Sequence, residues 1–341
     1  MVARSASGRQ GRKAPATPSA PSPKKSVANI RLDMTPGSAA KLKMAHPGIE
    51  ESPNMSARSR LLKNKDPYHL VSYEEIPDWL KDNAYIHNYY RCEYTTAMCL
   101  RSFFMVHNEA GNVWTHVVGF MVFICLAIYT FNNVLTGDWE HRVIFGILTL
   151  GSMSCMSFSA TYHLFAGHMS QRFTDKMRMI DYFGITVMCI TSFVPACYYV
   201  FECNPNMQWG YIFMVVTLGM GSIIGPLTDV FHRPSFFWGR LAIFASLVCS
   251  GLFPLGHGLF VLPLNSVTLP TIGGLTLMFA TYLAGVIFYA TKFPECCAPG
   301  RFDVYFSSHQ LWHVFVLCAA IMHYFTCIAL YQQWQVMKGN C

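Results

Sequence analysis

Seven runs of about twenty mostly apolar residues recur along the chain, at about 113–131, 143–166, 181–201, 209–230, 238–259, 271–291 and 308–331, with shorter polar connections between them. Each is long enough to cross a hydrocarbon core of roughly 30 Å as a helix. The fourth and fifth are interrupted by Gly225-Pro226 and by Pro254, but neighbouring helices in a bundle can satisfy the backbone groups that a proline frees. The pattern therefore predicts an all-α membrane protein with seven transmembrane helices occupying residues 111–341.

The chain ahead of the first span divides in two. Residues 1–60 are rich in Ser, Pro, Ala, Lys and Arg with hardly an aromatic, too little apolar surface to offset chain entropy. A disordered basic tail over 1–65 is expected. It holds no apolar run that could serve as a signal peptide. The first 32 residues lack Asp and Glu, which also suits an organellar transit peptide; a solvated tail is the simpler reading. Residues 66–110 form a juxtamembrane segment of different character, in which Tyr73, Ile76, Trp79, Leu80, Tyr85, Ile86, Tyr89 and Tyr90 interleave with acids. Within it, Met98, Leu100, Phe103, Phe104 and Val106 predict a short helix lying along the membrane interface.

Composition agrees with a lipid solvent: 52% of residues are hydrophobic, 15% aromatic and 13% charged, against roughly 25% charged in a soluble domain. Charge then sets orientation. Of 25 Lys and Arg, 23 fall in residues 1–112 and in the second, fourth and sixth connections; only Arg142 and Lys338 fall on the other side. Basic residues mark the cytoplasmic face. The N-terminus is thus expected in the cytoplasm and the C-terminus on the far side, the reverse of the heptahelical G-protein-coupled receptors. The basic excess belongs to a membrane face, and no nucleic-acid partner is expected.

Ionisable groups at membrane depth are costly and mark function by default. His309 and His313 are i, i+4 at the cytoplasmic start of the last span and share one helix face. His163 lies near the cytoplasmic end of the second span with Ser159 one turn earlier, and Asp181 opens the third. Three imidazoles in one layer read as a zinc site with a fourth position left for water. Asp181 and Ser159 then suit catalytic roles beside it, accepting a hydrogen bond from that water or orienting a ligand. The blander alternative is a set of interfacial histidines bonded to backbone or headgroups. His116 is expected to build a separate structural network with Glu109 and Asn112. His257 and His323 sit near the opposite ends of their spans, while His46, His69, His87, His141, His168 and His232 fall in loops or tails. Most of the 13 cysteines lie inside spans, where packing explains them; Cys203 and Cys341 share the far side, where a disulfide between them is conceivable.

The motifs themselves resemble a known family. His107-Asn108-Glu109-Ala110-Gly111-Asn112-Val113-Trp114-Thr115-His116, Ser159-Ala160-Thr161-Tyr162-His163, Asp181-Tyr182-Phe183-Gly184-Ile185, Pro294-Glu295 and Ser308-His309-Gln310-Leu311-Trp312-His313 are similar, in order and at the expected helix ends, to the progestin and adipoQ receptor family. The likeness runs from about residue 71 to the C-terminus. Asp82 to Cys92 is similar first to the plant and algal heptahelical proteins of that family and next to the adiponectin receptors. The resemblance implies an inside-out seven-helix bundle, zinc held by His163, His309 and His313, Asp181 near the zinc-bound water, and kinship to haemolysin III and the alkaline ceramidases. Asp181 follows His163 by 18 residues, one more than expected in adiponectin receptors.

Two functions remain open at this level. One is a receptor signalling in lipid metabolism or stress response, in which zinc clamps helices, a hormone or lipid is the ligand, and residues 1–110 recruit a cytoplasmic signalling protein. The other is a zinc-dependent hydrolase of lipid amides such as ceramide, working from within the membrane. Either is an integral multi-pass protein in contact with membrane lipids, in the plasma membrane or in the Golgi or endoplasmic reticulum.

Overall fold

The computed structural model describes residues 55–135, 137, 139–232, 234–261 and 269–337; residues 1–54, which hold most of the expected tail, lie outside them. Two short helices precede the bundle, α1 (Ala57–Lys65) and α2 (Thr96–Arg101). They are followed by α3 (Ala110–Tyr129), α4 (Trp139–Phe165), α5 (Gln171–Val200), α6 (Pro205–Ile224), α7 (Asp229–His232), α8 (Phe237–Cys249), α9 (Leu252–Val261), α10 (Leu269–Thr291) and α11 (Ser308–Met337). Among the described residues seven helical stretches are long and apolar enough to cross a membrane: Ala110–Val134, Trp139–Phe165, Gln171–Val200, Pro205–Leu227, Phe237–Phe260, Leu269–Thr291 and Ser308–Val336. Among the described residues β structure is confined to two isolated bridges, Val71 with Tyr90 and Tyr94 with His168.

The helix boundaries follow backbone chemistry. Asn204 accepts the Met207 N–H ahead of α6, and Pro205 takes its first position, where the missing N–H costs nothing and φ is already helical. α6 closes in a tight turn, Gly225–Leu227, at the Gly-Pro pair. The fifth span breaks at Ser250-Gly251, four residues before the expected Pro254. A proline ring collides with the carbonyl four residues back, which here is Ser250. Pro254 itself sits in the first turn of α9, where no N–H is needed.

Two spans run further than their apolar runs. α5 begins at Gln171, so Asp181 lies in its third turn rather than at its opening. The extra turns are polar, which hides them from a hydropathy count, yet they are stitched locally: Arg178 pairs with Asp175 at 3.1 Å and its guanidinium stacks over Tyr162 of α4. α11 likewise continues past 331, with Gln333 donating to Thr271 of α10.

Burial ranks the helices. More than half of the apolar window of α4 and α11 is buried, 56% in each, against 17% for α3 and α10. α4 and α11 are therefore central, and their shared core includes Phe145, Leu148, Met156, Tyr324 and Tyr331. α5 lies against α4 at Gly184, where an added Cβ would come within 3.0 Å of the Cys155 backbone. That close approach brings Asp181, one turn earlier, alongside Ser159.

Residues 55–95 build a small cap with its own core of Met55, Val71, Ile76, Ile86, Tyr90 and Cys92. Ala57–Lys65, assigned by composition to a disordered 1–65, is a helix. Ser56 caps it by accepting the Ser59 N–H at 3.1 Å, and Lys63 ties it to Glu93 at 2.8 Å. Composition registers few apolar residues there and cannot register a partner thirty positions away. The expected interfacial helix appears as α2, capped by Thr95 and continued by the turn Ser102–Phe104. Leu100 on the helix, Phe104 in the turn and Val106 just beyond it are exposed. Cys203 is disulfide-bonded; Cys341, its expected partner, lies outside the described residues.

Candidate metal centre

His309 and His313 stand one turn apart on α11, and His163 meets them from the last turn of α4. The ring centroids of His163 and His309 are 5.0 Å apart, those of His163 and His313 4.8 Å, and those of His309 and His313 4.9 Å. One ring nitrogen of each lies within 4.8 Å of the other two. Among the described residues this is the one His/Cys/Asp/Glu group whose donor atoms could share a metal.

The outward nitrogens of two of these rings are already engaged. His163 Nδ1 lies 2.7 Å from Glu109 Oε2, and the same oxygen accepts from Asn112 Nδ2 at 2.5 Å. His313 Nδ1 is 3.2 Å from the Asn112 carbonyl and 3.2 Å from the Thr115 hydroxyl. Donation from Nδ1 to a carboxylate or carbonyl leaves the Nε2 lone pair free, the usual way a metal-binding imidazole is oriented. His163 Nε2 is in fact buried without a hydrogen-bond partner. Burial alone would raise the Glu109 carboxyl, but its position beside His163 and His309 and the hydrogen bonds it accepts from His163 and Asn112 lower it below the usual carboxylate range. Glu109 is thus ionised at neutral pH and a strong acceptor.

The elements that carry the triad are pinned by the cap. Arg91, buried, donates to the last carbonyls of α4, His163 at 2.6 Å and Leu164 at 2.7 Å, and to Ser102 Oγ at 2.7 Å. A cation at a helix C-terminus meets the negative end of the helix dipole, and here it fixes the residue that bears the His163 ring. At the other end, fully buried Glu295 accepts the Ser308 N–H at 2.7 Å and Asn83 Nδ2 at 3.0 Å, anchoring the first turn of α11 next to His309. His107, whose imidazole burial and then Arg91 hold down at about 3, stays neutral; its Nδ1 accepts the Glu109 N–H at 3.1 Å.

Asp181 and Ser159 stand together on one cavity wall. Both line a largely apolar cavity whose walls also include His309, His313, Phe244, Tyr282 and Val286. The five residues singled out from sequence therefore gather in one region, with Asp181 and Ser159 on the cavity wall and outside the three-imidazole group.

The expected separate network of His116, Glu109 and Asn112 is not what forms. Glu109 and Asn112 serve His163 and His313, while the His116 ring stacks on His313 at 3.8 Å and 9°. Sequence reasoning missed Glu109 as part of the site. Its signal was present, a carboxylate at the same membrane level as three imidazoles, but which face of α3 looks toward α4 and α11 is settled only by packing. His257 and His323 are remote from the triad as expected, engaged with the Tyr211 hydroxyl and the Ser192 carbonyl. His141, expected in a loop, is in the first turn of α4, buried beside the Tyr199 hydroxyl at 3.2 Å.

Comparison with known proteins gives the family. Residues 104–324 match the family model described as Haemolysin-III related. Heptahelical transmembrane protein 1 of Arabidopsis thaliana is 36% identical over 79% of this chain and 83% of its own length. The adiponectin receptor protein of Drosophila melanogaster is 33% identical over 80% of this chain and 62% of its own, and progestin and adipoQ receptor-like protein 1 of Caenorhabditis elegans 34% over 75% and 59%. Seven membrane-length helices, the ordered motifs at their ends and this breadth of similarity make the chain a member of the progestin and adipoQ receptor family.

Proposed function

We propose that the protein is an adiponectin-receptor-like seven-helix receptor with a zinc ion held by His163, His309 and His313, and that its site end faces the cytoplasm. The observation that carries the metal reading is the convergence of three imidazoles with a buried, unpartnered Nε2 on His163. Leaving that nitrogen unpaired costs about 1–3 kcal/mol, a penalty that a ligated ion removes. Three neutral imidazoles suit zinc in a site that keeps an open position. The receptor reading is supported by the names of the fly and worm relatives. In it the metal clamps α4 to α11 and residues 1–110 are the surface offered to a cytoplasmic signalling protein.

A second reading, hydrolysis of a lipid amide, is favoured by one feature: Asp181 and Ser159 share a cavity wall with His309 and His313. Bound zinc would supply Lewis-acid polarisation of a carbonyl. Asp181 would take the proton from the attacking water and pass it to the leaving amine, Ser159 would hold the carboxyl in place, and the apolar wall of Phe244, Tyr282 and Val286 would take the acyl chain. The deciding assay is fatty-acid release from ceramide by purified protein, with and without chelator. Under hydrolysis Asp181→Asn keeps zinc and fold but loses turnover by at least the roughly 100-fold that general-base loss typically brings. Equal background release by wild type and Asp181→Asn leaves zinc as a clamp and the protein as a receptor.

A further inference from the structure

Among the described residues eleven cysteines are free, and their surroundings differ sharply. Cys155, Cys189, Cys197 and Cys327 are buried inside the bundle. Cys125, Cys249 and Cys318 are exposed but lie within membrane-length helices, where no aqueous reagent reaches them. Cys92 and Cys99 are buried in or beside the cap; burial and then Glu93 push the Cys92 thiol up to about 12, and burial pushes Cys99 up to about 11. Only Cys296, half-buried, and Cys297, exposed, in this set join an accessible thiol to a position outside the spans, five and six residues beyond the end of α10 at Thr291.

The turn that carries them leaves Cys297 exposed and Cys296 half-buried. Cys296 N–H donates to the Lys292 carbonyl at 2.8 Å and Cys297 N–H to the Pro294 carbonyl at 3.0 Å, and the two sulfurs lie 3.7 Å apart. In the same connection between α10 and α11, Phe293, Tyr305 and Phe306 are 47%, 55% and 68% exposed. Exposed aromatics just beyond a span mark the level of the headgroups. Lys292, with its ammonium resting on the Tyr289 and Phe237 rings at 4.7 and 5.2 Å, opens the same connection. The acids of this loop, Glu295 and Asp303, are turned inward and occupied by Ser308, Asn83, His87 and Asn88.

From this juxtaposition we infer that Cys296 and Cys297 are an S-acylation site that takes a long-chain acyl group from an acyl thioester. The cysteine sulfur attacks the thioester carbonyl carbon, a new C–S bond forms, the bond to the carrier sulfur breaks, and the carrier thiol leaves with the cysteine proton. Nothing is oxidised or reduced. Thiols at the rim of the bundle, among aromatics at headgroup level, let the acyl chain enter the adjoining leaflet without crossing a polar layer. The inference uses neither the zinc nor the hydrolase reading and shares only the proposed orientation.

The full-length protein, expressed in eukaryotic cells fed an alkyne-bearing palmitate analogue, should carry label that neutral hydroxylamine removes. Cys296→Ser/Cys297→Ser should lower that label at least tenfold at equal protein level, while Cys125→Ser/Cys249→Ser/Cys318→Ser keeps it. Mass spectrometry of the wild-type peptide spanning 296–297 should find the acyl thioester, which keeps the test independent of how the variants fold. A membrane-impermeant maleimide reports orientation separately, reacting with the hydroxylamine-treated loop only after permeabilisation if the site end faces the cytoplasm. Label that survives in the double serine variant, or a wild-type peptide with free thiols and no acyl mass, overturns the inference.

Discussion

Glu109 gives the sharpest test of how the triad is organised. Its carboxylate receives His163 at 2.7 Å and Asn112 at 2.5 Å, so it fixes both the tautomer and the tilt of one proposed ligand. Losing such a partner typically costs about 10–100-fold in metal affinity, or about 1.4–2.8 kcal/mol at 1.4 kcal/mol per decade. The two obvious variants should divide that range. Glu109→Gln keeps an oxygen that can accept from Nδ1 but loses the charge, and belongs near the tenfold end. Glu109→Ala removes the acceptor as well and leaves two donors unpaired, and belongs near the hundredfold end. Zinc affinity by competition with a chromophoric chelator measures the effect directly. Melting in detergent with excess zinc and with chelator measures it again, because a ligand bound only by the folded state adds stability in proportion to the logarithm of its affinity. The zinc-dependent part of the melting shift should shrink in the order wild type, Gln, Ala. If Glu109→Ala binds zinc within twofold of wild type, the carboxylate does not orient His163 and the reasoning fails.

Three further outcomes follow from the same geometry. His309→Ala or His313→Ala should lose most of the roughly one zinc per chain expected of wild type, read by elemental analysis, with a lower melting temperature because metal binding is coupled to folding; unchanged zinc content would remove that imidazole from the ligand set. Arg91→Met, which strips three hydrogen bonds from the end of α4 and Ser102, should destabilise by about 2–4 kcal/mol, since hydrogen bonds to charged groups contribute about 1.5–3 kcal/mol each and the relieved desolvation of the buried guanidinium offsets roughly half of their sum; wild-type melting would mean that the guanidinium does not cap α4. A C-terminal tag should resist protease added from the cytosolic side while an N-terminal tag is cut, as the 23 to 2 distribution of Lys and Arg requires; both tags on one side would mean that a span has been miscounted, most plainly at Pro226 or Pro254.

The sequence by itself determined the number of spans, their approximate limits and the three imidazoles. Those properties are written locally: hydropathy accumulates along a run, and His309 and His313 share a face because a helix repeats every 3.6 residues. It determined less wherever a polar stretch was held by a distant partner. The first three turns of α5 looked like a loop because Arg172, Asp175, Lys176 and Arg178 are charged, and α1 looked like tail because few of its residues are apolar. Both are helices whose support comes from Tyr162 and Glu93, far along the chain.

Only the tertiary structure decided which groups serve the triad. Glu109 and Asn112 could as well have paired with His116, two turns and one turn further along the chain, and the sequence pattern favours that local choice. Packing turned α3 so that Glu109 reaches His163 on α4, Asn112 reaches His313 on α11, and the His116 ring stacks instead. Rotation of a helix about its own axis leaves its hydropathy profile almost unchanged, yet carries each side chain through the full circle of neighbours. Periodicity therefore tells which residues share a face, and the contacts of the assembled bundle tell which partner that face meets.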